Sequence, residues 1–423
     1  DRTGRKAGNI AEFIRTSGGR YDYALVLDSD SLMEGETIVE MVRRMQAEPR
    51  LGLLQTNPRV IRGRSRFGRA TQFASALHAP VFARGLDAAQ GPTGPFWGHN
   101  AVFRIRAFAE SSGLPVLPGR APFGGEVLSH DFAEAALLSR AGWIVRLDPD
   151  LGGTFEEGPQ TLVAHARRDR RWCQGTLQHF KLIGTAGLGG WSRFVFVQGI
   201  LSYVAPLLWL GFLLAGIVAP LISPDLGCGL VCESGRTEAL WLAAGVVGLL
   251  FLPKILILDR ALWRDPMRGF GGRLSATRSA LAEIALSTLV APILMAWQAR
   301  SVIEVLAGRD GGWPARPGSR AGSLAEAWMD SAWIVIGGAL GLLAAASVSP
   351  ALALWLLPVA GPMLAAPLVI AWSARPAVGT LWTIPEEIAP DGVVALHTEI
   401  LIRWQGPLAD SRGEDWKAAP AFA

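Results

Sequence analysis

Carboxylates stand at two places in this chain where their type and spacing suit chemistry. Asp28 and Asp30 follow a short apolar run, residues 23–27, whose aromatic and β-branched members predict a strand. Alternation along such a strand directs both carboxylates to the same side, where like charges repel unless a positive charge lies between them. The pair is therefore either an ordinary exit from a strand into a turn or half of a metal site with hard oxygen ligands.

A third acid, Asp131, stands at the start of a predicted helix that follows a glycine-containing loop. The preceding residues are Ser129 and His130, and both Ser and Asp are preferred at helix N-caps. Residues 129–131 therefore either form a helix N-cap or place the Asp131 carboxylate where it can take part in a reaction. It is not a hydrolase triad by adjacency, because neighbouring side chains point in different directions.

A basic and then amphipathic segment, residues 166–180, ends just before the first long apolar run. One interpretation is a juxtamembrane helix whose arginines are attracted to anionic lipid. The other is a functional surface, on which Arg168, Arg171 and Trp172 face a polyanionic ligand and a flat sugar ring. Both interpretations stay open on the residues alone.

Half of the 423 residues are hydrophobic, and the apolar residues concentrate beyond residue 194. Five runs are close to the roughly 20 residues that cross the hydrocarbon core of a bilayer. They are residues 194–222, 239–258, 281–303, 330–348 and 352–372. The sequence predicts a polar domain, residues 1–190, then a transmembrane helical region, residues 191–372, and a cytoplasmic carboxy-terminal tail, residues 373–423.

Arginines in the loops predict how the chain is oriented. The loop 259–280 carries five arginines and should be cytoplasmic, whereas the loop 223–238 carries one arginine against three acids. The polar domain is then cytoplasmic. The run 281–303 contains Glu283, which is costly inside a membrane, so we expect an interfacial or re-entrant segment bent at Pro292 and four full crossings.

The net charge of +4 does not call for nucleic acid, and no nucleic-acid-binding signature is present. Cys173 lies in the polar domain, where we expect a reduced thiol. Cys228 and Cys232 share the loop predicted to face outwards, where they either form a disulfide or stay unpaired. The six histidines show no zinc-type spacing, so a transition-metal site is not expected.

Alternating helix and strand signals in residues 1–190 predict the α/β class that must position these side chains. The predicted helices are residues 6–16, 37–47, 69–84 and 129–143, and the predicted strands are residues 23–27, 52–56 and 143–147. A Gly/Pro-rich segment, GPTGPFWGHNAVFR, occupies residues 91–104.

The motifs stand in the order Asp-x-Asp after a strand, an Asp opening a helix, and x-x-Arg-Trp ahead of membrane helices. This order resembles the processive family 2 glycosyltransferases, which include the cellulose and hyaluronan synthases and have a GT-A fold. Narrower matches are similar to the members that build osmoregulated periplasmic glucans in Gram-negative bacteria. They are KAGNI (6–10), VLDSDSLM (26–33), QTNP (55–58), FWGHNAVFR (96–104), LPGRAPFGGEVLSHDFAEAALLSRAGW (117–143), EEGPQTL (156–162), RRDRRWCQGTLQH (167–179), GRDGGW (308–313) and TIPEE (383–387).

The resemblance implies a multi-pass enzyme of the bacterial inner membrane that uses UDP-glucose to elongate a linear β-1,2-glucan, with inversion, and passes it outwards. It implies membrane lipid, acyl carrier protein and periplasmic glucan-processing proteins as further partners. Two alternatives stay open: a cellulose-like or hyaluronan-like synthase, and an inactive transport or assembly subunit. The family's amino-terminal membrane helices and first GT-A strands do not appear, so we expect a carboxy-terminal fragment.

On the donor side, the resemblance implies that Lys6 and Asn9 contact the nucleotide. It also implies a magnesium or manganese ion held by Asp30 and Asp28. Such an ion bridges the diphosphate and offsets both the repulsion between the two acids and the charge on the leaving group. Asp30 is the expected direct ligand, and Asp28 is alternatively a contact to ribose.

On the acceptor side, the resemblance implies that Asp131 is the general base for the attacking sugar hydroxyl. Arg171 and Arg168 would place positive charge beside the departing phosphates. The general motif of the synthases has Gln where Arg168 stands. The implied acceptor contacts are Trp97, His99, Asn100 and Trp172. A structural histidine and an interfacial anchor stay open as alternatives for His99 and Trp172.

Overall fold

A computed structural model describes residues 4–222, 233–264, 267–309 and 323–405. The amino-terminal half alternates helices and strands, as predicted. Its helices are α1 (Arg5–Ser17), α2 (Gly35–Ala47), α3 (Arg66–Gln90), α4 (Ile105–Ser111), α5 (His130–Arg140) and α6 (Leu162–Gln178). Its strands are β1 (Tyr23–Val26), β2 (Ser31–Met33), β3 (Leu51–Thr56), β4 (Arg59–Ile61), β5 (Ala101–Arg104), β6 (Ile144–Asp148) and β7 (Thr154–Glu157). Cys228 and Cys232 lie outside the described residues.

The larger sheet has the strand order β1-β5-β3-β6. β3 is buried along its whole length, and it pairs in parallel with β6 and antiparallel with β5. β1 is also antiparallel to β5, so the carboxyl ends of β1, β3 and β6 meet at the same edge. β5 begins at that edge, where Ala101 is in register with both Val26 and Gln55. The segments that follow β1 and β3 therefore meet the segment that precedes β5.

A smaller sheet, β2-β7-β4, lies beside this edge. β2 follows the two aspartates directly and pairs antiparallel with β7, so that Ser31 is in register with Glu156. β7 leads within five residues to α6, whose N-cap Thr161 accepts a hydrogen bond from the backbone N–H of Ala164 at 3.1 Å. The smaller sheet thus connects the first acidic motif to the basic helix.

The five predicted apolar runs all lie on helices. The helices α7 (Gly190–Ile222), α8 (Glu233–Arg264), α9 (Arg273–Leu306) and α10 (Leu324–Val348) each contain a stretch long and apolar enough to cross a membrane. α11 (Pro350–Leu364) and α12 (Ala366–Ala374) form a fifth such element, bent by 49°. This set of helices fits a membrane protein, and the orientation of the chain stays a prediction.

The run 281–303 lies within one unbroken helix, α9, which continues through Pro292. The re-entrant turn expected at Pro292 is therefore absent from this described helix, and an interfacial placement stays a prediction. Glu283 was the charge that argued against a crossing, but its two carboxylate oxygens lie 2.8 and 2.9 Å from Nζ of Lys254 on α8. An opposite charge at this distance offsets much of the cost of burying the carboxylate.

The segment after α12 packs back onto the α/β half. Trp382 and Ile384 are buried in a hydrophobic core shared by α3 and α9. Glu386, on the short helix α13 (Pro385–Ile388), forms an ion pair with Arg59 of β4. A last helix, α14 (Gly392–Gln405), ends the described chain. The predicted tail 373–423 therefore begins as a packed part of the fold.

Candidate active site

The first acidic motif lies in a turn and not on a strand. β1 ends at Val26, and the backbone N–H of Ser31 donates to the carbonyl of Asp28 at 3.1 Å, which closes the turn. The hydroxyl of Ser31 accepts from the backbone N–H of Asp28 at 3.1 Å. The expectation that strand alternation aligns the two carboxylates is therefore wrong. A hydrogen-bonded turn presents Asp28 and Asp30 instead.

The two aspartates have different surroundings. Asp28 forms an ion pair with Lys6 of α1, which brings one predicted donor-side residue onto the motif. Asp30 is exposed and makes no hydrogen bond or ion pair with the described part of the chain. Asp30 is therefore the carboxylate that is available to a metal. Asn9, the other predicted donor-side residue, is exposed on the same helix α1.

A hard divalent cation fits this pair only together with a substrate. In the described ranges, no three His, Cys, Asp or Glu side chains form a group that could hold a metal by themselves. Magnesium is commonly bound by one or two carboxylates plus substrate phosphates and water. Asp30, with Asp28 beside it, supplies that partial set of oxygen ligands, and the sequence prediction of a metal at these two residues stays a prediction.

Glu156 is a charged residue of this edge that the sequence prediction left without a role. Its Oε2 lies 3.5 Å from Nε2 of His99, and it faces the charges of Arg168, Asp30 and Asp28. Burial raises the pKa of Glu156, and the positive charges of His99 and Arg168 act in the opposite direction. The signal in the sequence was an acidic pair, Glu156–Glu157, at the end of a four-residue strand.

Gln55 of β3 holds the segment Trp97–Asn100 in place through hydrogen bonds to its backbone. The buried amide of Gln55 accepts from the backbone N–H of Trp97 at 3.0 Å and donates to the carbonyl of His99 at 3.0 Å. The motif QTNP was noted in the sequence, but this positioning contact was not predicted. Trp97 and His99 are both half-buried, so part of each ring is accessible to a ligand.

Asn100 does not line the surface in this structure. Asn100 has 0% exposure, and its backbone has a positive φ of 51°. Its side-chain amide donates to Oγ1 of Thr154 at 2.7 Å. Its Oδ1 accepts from the hydroxyl of Ser31 at 2.5 Å. The expected direct contact to an acceptor sugar is therefore not available to Asn100. It instead joins the acidic turn to β7 and so positions both.

Asp131 is on the first turn of α5, but it does not serve the capping role that was left open. Ser129 is the N-cap residue and makes no side-chain capping hydrogen bond. Within the described ranges, Oδ1 of Asp131 accepts one hydrogen bond, from the neighbouring N–H of Phe132 at 3.1 Å. A Cβ placed on Gly98, which has φ of 85°, would lie 3.4 Å from Oδ2 of Asp131. The backbone at Gly98 therefore runs directly beside this carboxylate.

A buried ion pair supports the start of α5. Nδ1 of His130 lies 2.9 Å from Oε2 of Glu134. Burial lowers the pKa of His130, but the hydrogen bond that it donates to Glu134 and the negative charge of Glu134 outweigh burial and raise the pKa overall. Burial also raises the pKa of Glu134. Lys6 faces this pair as well as Asp28, so Lys6 lies between the acidic turn and the start of α5.

Arg168 and Trp172 share one face of α6 and contact each other, with the guanidinium carbon 4.5 Å from the ring centroid. Burial lowers the pKa of Arg168, and the negative charges of Glu156 and Asp30, which act to raise it, offset burial only in part. Its Nε is buried and has no hydrogen-bond partner among the described residues. A buried, unsatisfied guanidinium N–H is costly. Trp172 is 48% exposed, which leaves ring surface for a ligand.

Arg171 lies three residues after Arg168 on α6. Burial lowers its pKa, and the like charges of Arg168 and Arg5 lower it further. Arg171 therefore lies close enough to Arg168 of α6 and Arg5 of α1 to be repelled by both. Such repulsion decreases when a polyanion binds. The structure thus brings the predicted basic residues to the side of the acidic turn on which a diphosphate would lie.

The comparisons with known proteins agree with this arrangement. Residues 23–254 match the family model described as glycosyl transferase family group 2. The chain is 54% identical to a glucans biosynthesis glucosyltransferase H of Cereibacter sphaeroides, over 99% of this chain and 71% of that protein.

The chain belongs to the glucans biosynthesis glucosyltransferase H family. Relatives with the same description in Xylella fastidiosa and Caulobacter vibrioides are 42% and 41% identical, over 95% and 96% of this chain. The chain spans 65% of each of these two relatives. It is a glycosyltransferase, and the residues collected at the sheet edge are its candidate active site.

Proposed function

We propose that this chain is the catalytic and membrane part of an inner-membrane glucosyltransferase. It uses UDP-glucose to elongate the linear β-1,2-glucan backbone of osmoregulated periplasmic glucans, with its α/β half in the cytoplasm. The observation that carries the proposal is the position of Asp131. Asp131 lies beside Gly98 on one side. On the other side, Lys6 lies near the start of the helix that carries Asp131 and forms an ion pair with Asp28.

The donor binds on the side of the acidic turn and the basic helices. Lys6 and Asn9 of α1 face the nucleotide, while Arg168 and Arg171 bind the diphosphate. When bound by Asp30 and Asp28, a magnesium or manganese ion supplies positive charge to the leaving diphosphate. The repulsion of Arg171 by Arg168 and Arg5 supports this assignment, because a bound diphosphate would decrease it.

The acceptor binds on the side of Asp131. An attacking sugar hydroxyl is nearly neutral in water, so a base must remove its proton, and a positioned base typically contributes about 10²–10⁴ in rate. Asp131 takes this proton in a single in-line displacement that inverts the anomeric carbon. The half-buried rings of Trp97 and His99 and the exposed face of Trp172 form the acceptor surface. Asn100, Gln55 and Glu156 hold those residues in place.

Transfer of the glucan across the membrane is coupled to synthesis through α6. Its Asp169 accepts a hydrogen bond from the hydroxyl of Tyr203 on α7 at 3.1 Å and from Gln298 on α9 at 3.0 Å. The helix that carries Arg168 and Trp172 is thereby fixed to two helices of membrane-spanning length. A glucan that leaves the acceptor surface meets these helices first.

Glucan synthesis by membranes that contain the full-length protein tests the proposal. With radiolabelled UDP-glucose and magnesium, we expect glucan from the wild type and a loss of about 10²–10⁴ in Asp131→Asn, with donor binding retained. Asp150→Asn is the matched control, because Asp150 is an exposed acid that pairs only with the exposed Arg84. It should keep wild-type activity.

Two outcomes would contradict the proposal. Full activity in Asp131→Asn would remove Asp131 from the reaction. Polymer formed from another UDP-sugar, but not from UDP-glucose, would assign the protein to a different polysaccharide synthase. Linkage analysis of the product tests the β-1,2 assignment separately.

A further inference from the structure

A cavity lies on a different face of α6 from Arg168 and Trp172. It is open to the surface, has a volume of about 320 Å³, and is lined by residues of α6, α9 and α10. This volume is within the range of roughly 300–1,000 Å³ that is usual for small-ligand pockets. Its charged lining consists of Arg167, Arg170, Arg171, Arg300, Glu304 and Asp330. Apart from Arg171, the proposed function uses none of these residues.

The lining has an excess of fixed positive charge, with four arginines against two carboxylates. Glu304 contacts both Arg170, at 3.5 Å, and Arg300, at 2.8 Å, so one acid is shared by two bases. Arg170 also donates to the carbonyl of Arg309 at 2.9 Å, which fixes its orientation. Arg167 forms no hydrogen bond or ion pair with any described residue.

The cavity lies where two membrane-length helices end. It is lined by Trp297 near the carboxyl end of α9 and by Asp330 near the amino end of α10. The ring of Trp333 on α10 contacts the guanidinium of Arg300, with the guanidinium carbon 5.2 Å from the ring centroid. Tryptophans are enriched at the membrane–water interface, at the depth of the lipid headgroups. Trp297 in the lining and Trp333 against Arg300 support a position of the cavity at that depth.

We propose that this cavity binds the phosphate of an anionic phospholipid headgroup. The planar guanidinium groups of Arg170 and Arg300 are held by Glu304, so they are preorganised for phosphate oxygens. The excess of positive charge favours a headgroup with a net negative charge over a zwitterionic one. The apolar part of the lining, Val163 and Ala166 of α6 and Trp297 of α9, lies beside these charges and accepts the first atoms of the acyl chains. The proposal requires membrane insertion of these helices, and it is independent of the sugar that the enzyme transfers.

Native mass spectrometry of the detergent-purified protein tests this site directly. With phosphatidylglycerol and phosphatidylcholine of equal chain length, we expect tighter binding of phosphatidylglycerol. Arg167→Gln should weaken phosphatidylglycerol binding about fivefold, the effect of one basic residue near an anionic surface, and leave phosphatidylcholine unchanged. Because Arg167 is exposed and bonded to no described residue, this variant should fold. Arg106→Gln, which removes an exposed arginine of α4, is the matched control.

Four results would overturn the proposal. Equal binding of the two lipids, or unchanged phosphatidylglycerol binding in Arg167→Gln, would show that the cavity does not select anionic lipid. Displacement of the bound lipid by an equal concentration of inorganic phosphate would assign the cavity to a soluble anion. An acidic acyl carrier protein that loses affinity in Arg167→Gln, while the lipid does not, would assign it to a protein partner.

Discussion

The contact between α6 and the start of α5 predicts an unusual effect of replacing Gly175 by alanine. Gly175 lies in the interior of α6, where alanine is normally favoured over glycine by about 1 kcal/mol. Here a Cβ at residue 175 would lie 2.3 Å from Oγ and 2.7 Å from the backbone N of Ser129. Ser129 is two residues before Asp131. The substitution should therefore disturb the proposed general base although it suits the helix.

The expected magnitude follows from these distances. The hydroxyl of Ser129 can rotate away, but its backbone N cannot, so α6 and the start of α5 must separate by roughly 0.7 Å to restore an ordinary contact near 3.4 Å. A displacement of about 1 Å at a reacting group costs on the order of 10² in rate. We therefore expect kcat for glucan synthesis to fall about 30- to 100-fold in Gly175→Ala, by the same scale. Overpacking should also lower stability by about 1–3 kcal/mol.

The assay is initial-rate glucan synthesis over a range of UDP-glucose concentrations, together with thermal unfolding in detergent. KM for UDP-glucose should rise as well, because the displaced helix α6 also carries Arg168 and Arg171, the proposed diphosphate ligands. Gly211→Ala is the matched control, since Gly211 is also inside a helix, α7, and a Cβ there meets no atom within 4 Å. Wild-type kcat in Gly175→Ala would refute the reasoning, because α6 would then not position Asp131.

Three further predictions concern other parts of the chain. In Asp30→Asn, the magnesium concentration for half-maximal glucan synthesis should rise about tenfold, because one charged oxygen ligand is lost; a magnesium titration measures this. Lys254→Met should lower the thermal unfolding midpoint strongly, because breaking a buried pair costs about 3–5 kcal/mol, and adding Glu283→Gln should restore much of the loss. Cys173 should resist maleimide at pH 8 in the folded protein, because burial raises the pKa of its thiol to about 12; peptide mapping after labelling tests this.

The elements that the sequence predicted well are long or strongly patterned. The predicted helix 37–47 corresponds to α2, and the predicted strand 52–56 corresponds to β3. Each has a clear periodic or continuous apolar signal that local physics follows. The five apolar runs are also on helices, because nothing but a helix satisfies so long an apolar backbone.

The strands β2, β4 and β7 were not predicted, because strands of three or four residues carry too little periodicity to be recognised. This had a consequence for the site. Glu156 is next to the acidic turn only because β7 pairs with β2, which sequence spacing does not reveal. For the same reason Asn100 was expected at the surface, whereas pairing of these short strands encloses it.

The helix α6 connects the two proposals, because its residues face three different surroundings at once. One face presents Arg168 and Trp172 to the acidic turn, and another presents Arg167 and Arg170 to the basic cavity. Asp169 between them is bonded to α7 and α9. A rigid helix cannot move one of these faces without the others, since its backbone hydrogen bonds fix their relative orientation. Lipid bound in the cavity would therefore bias the position of Arg168 over the donor diphosphate, and a change in the membrane would reach the reaction through a single helix.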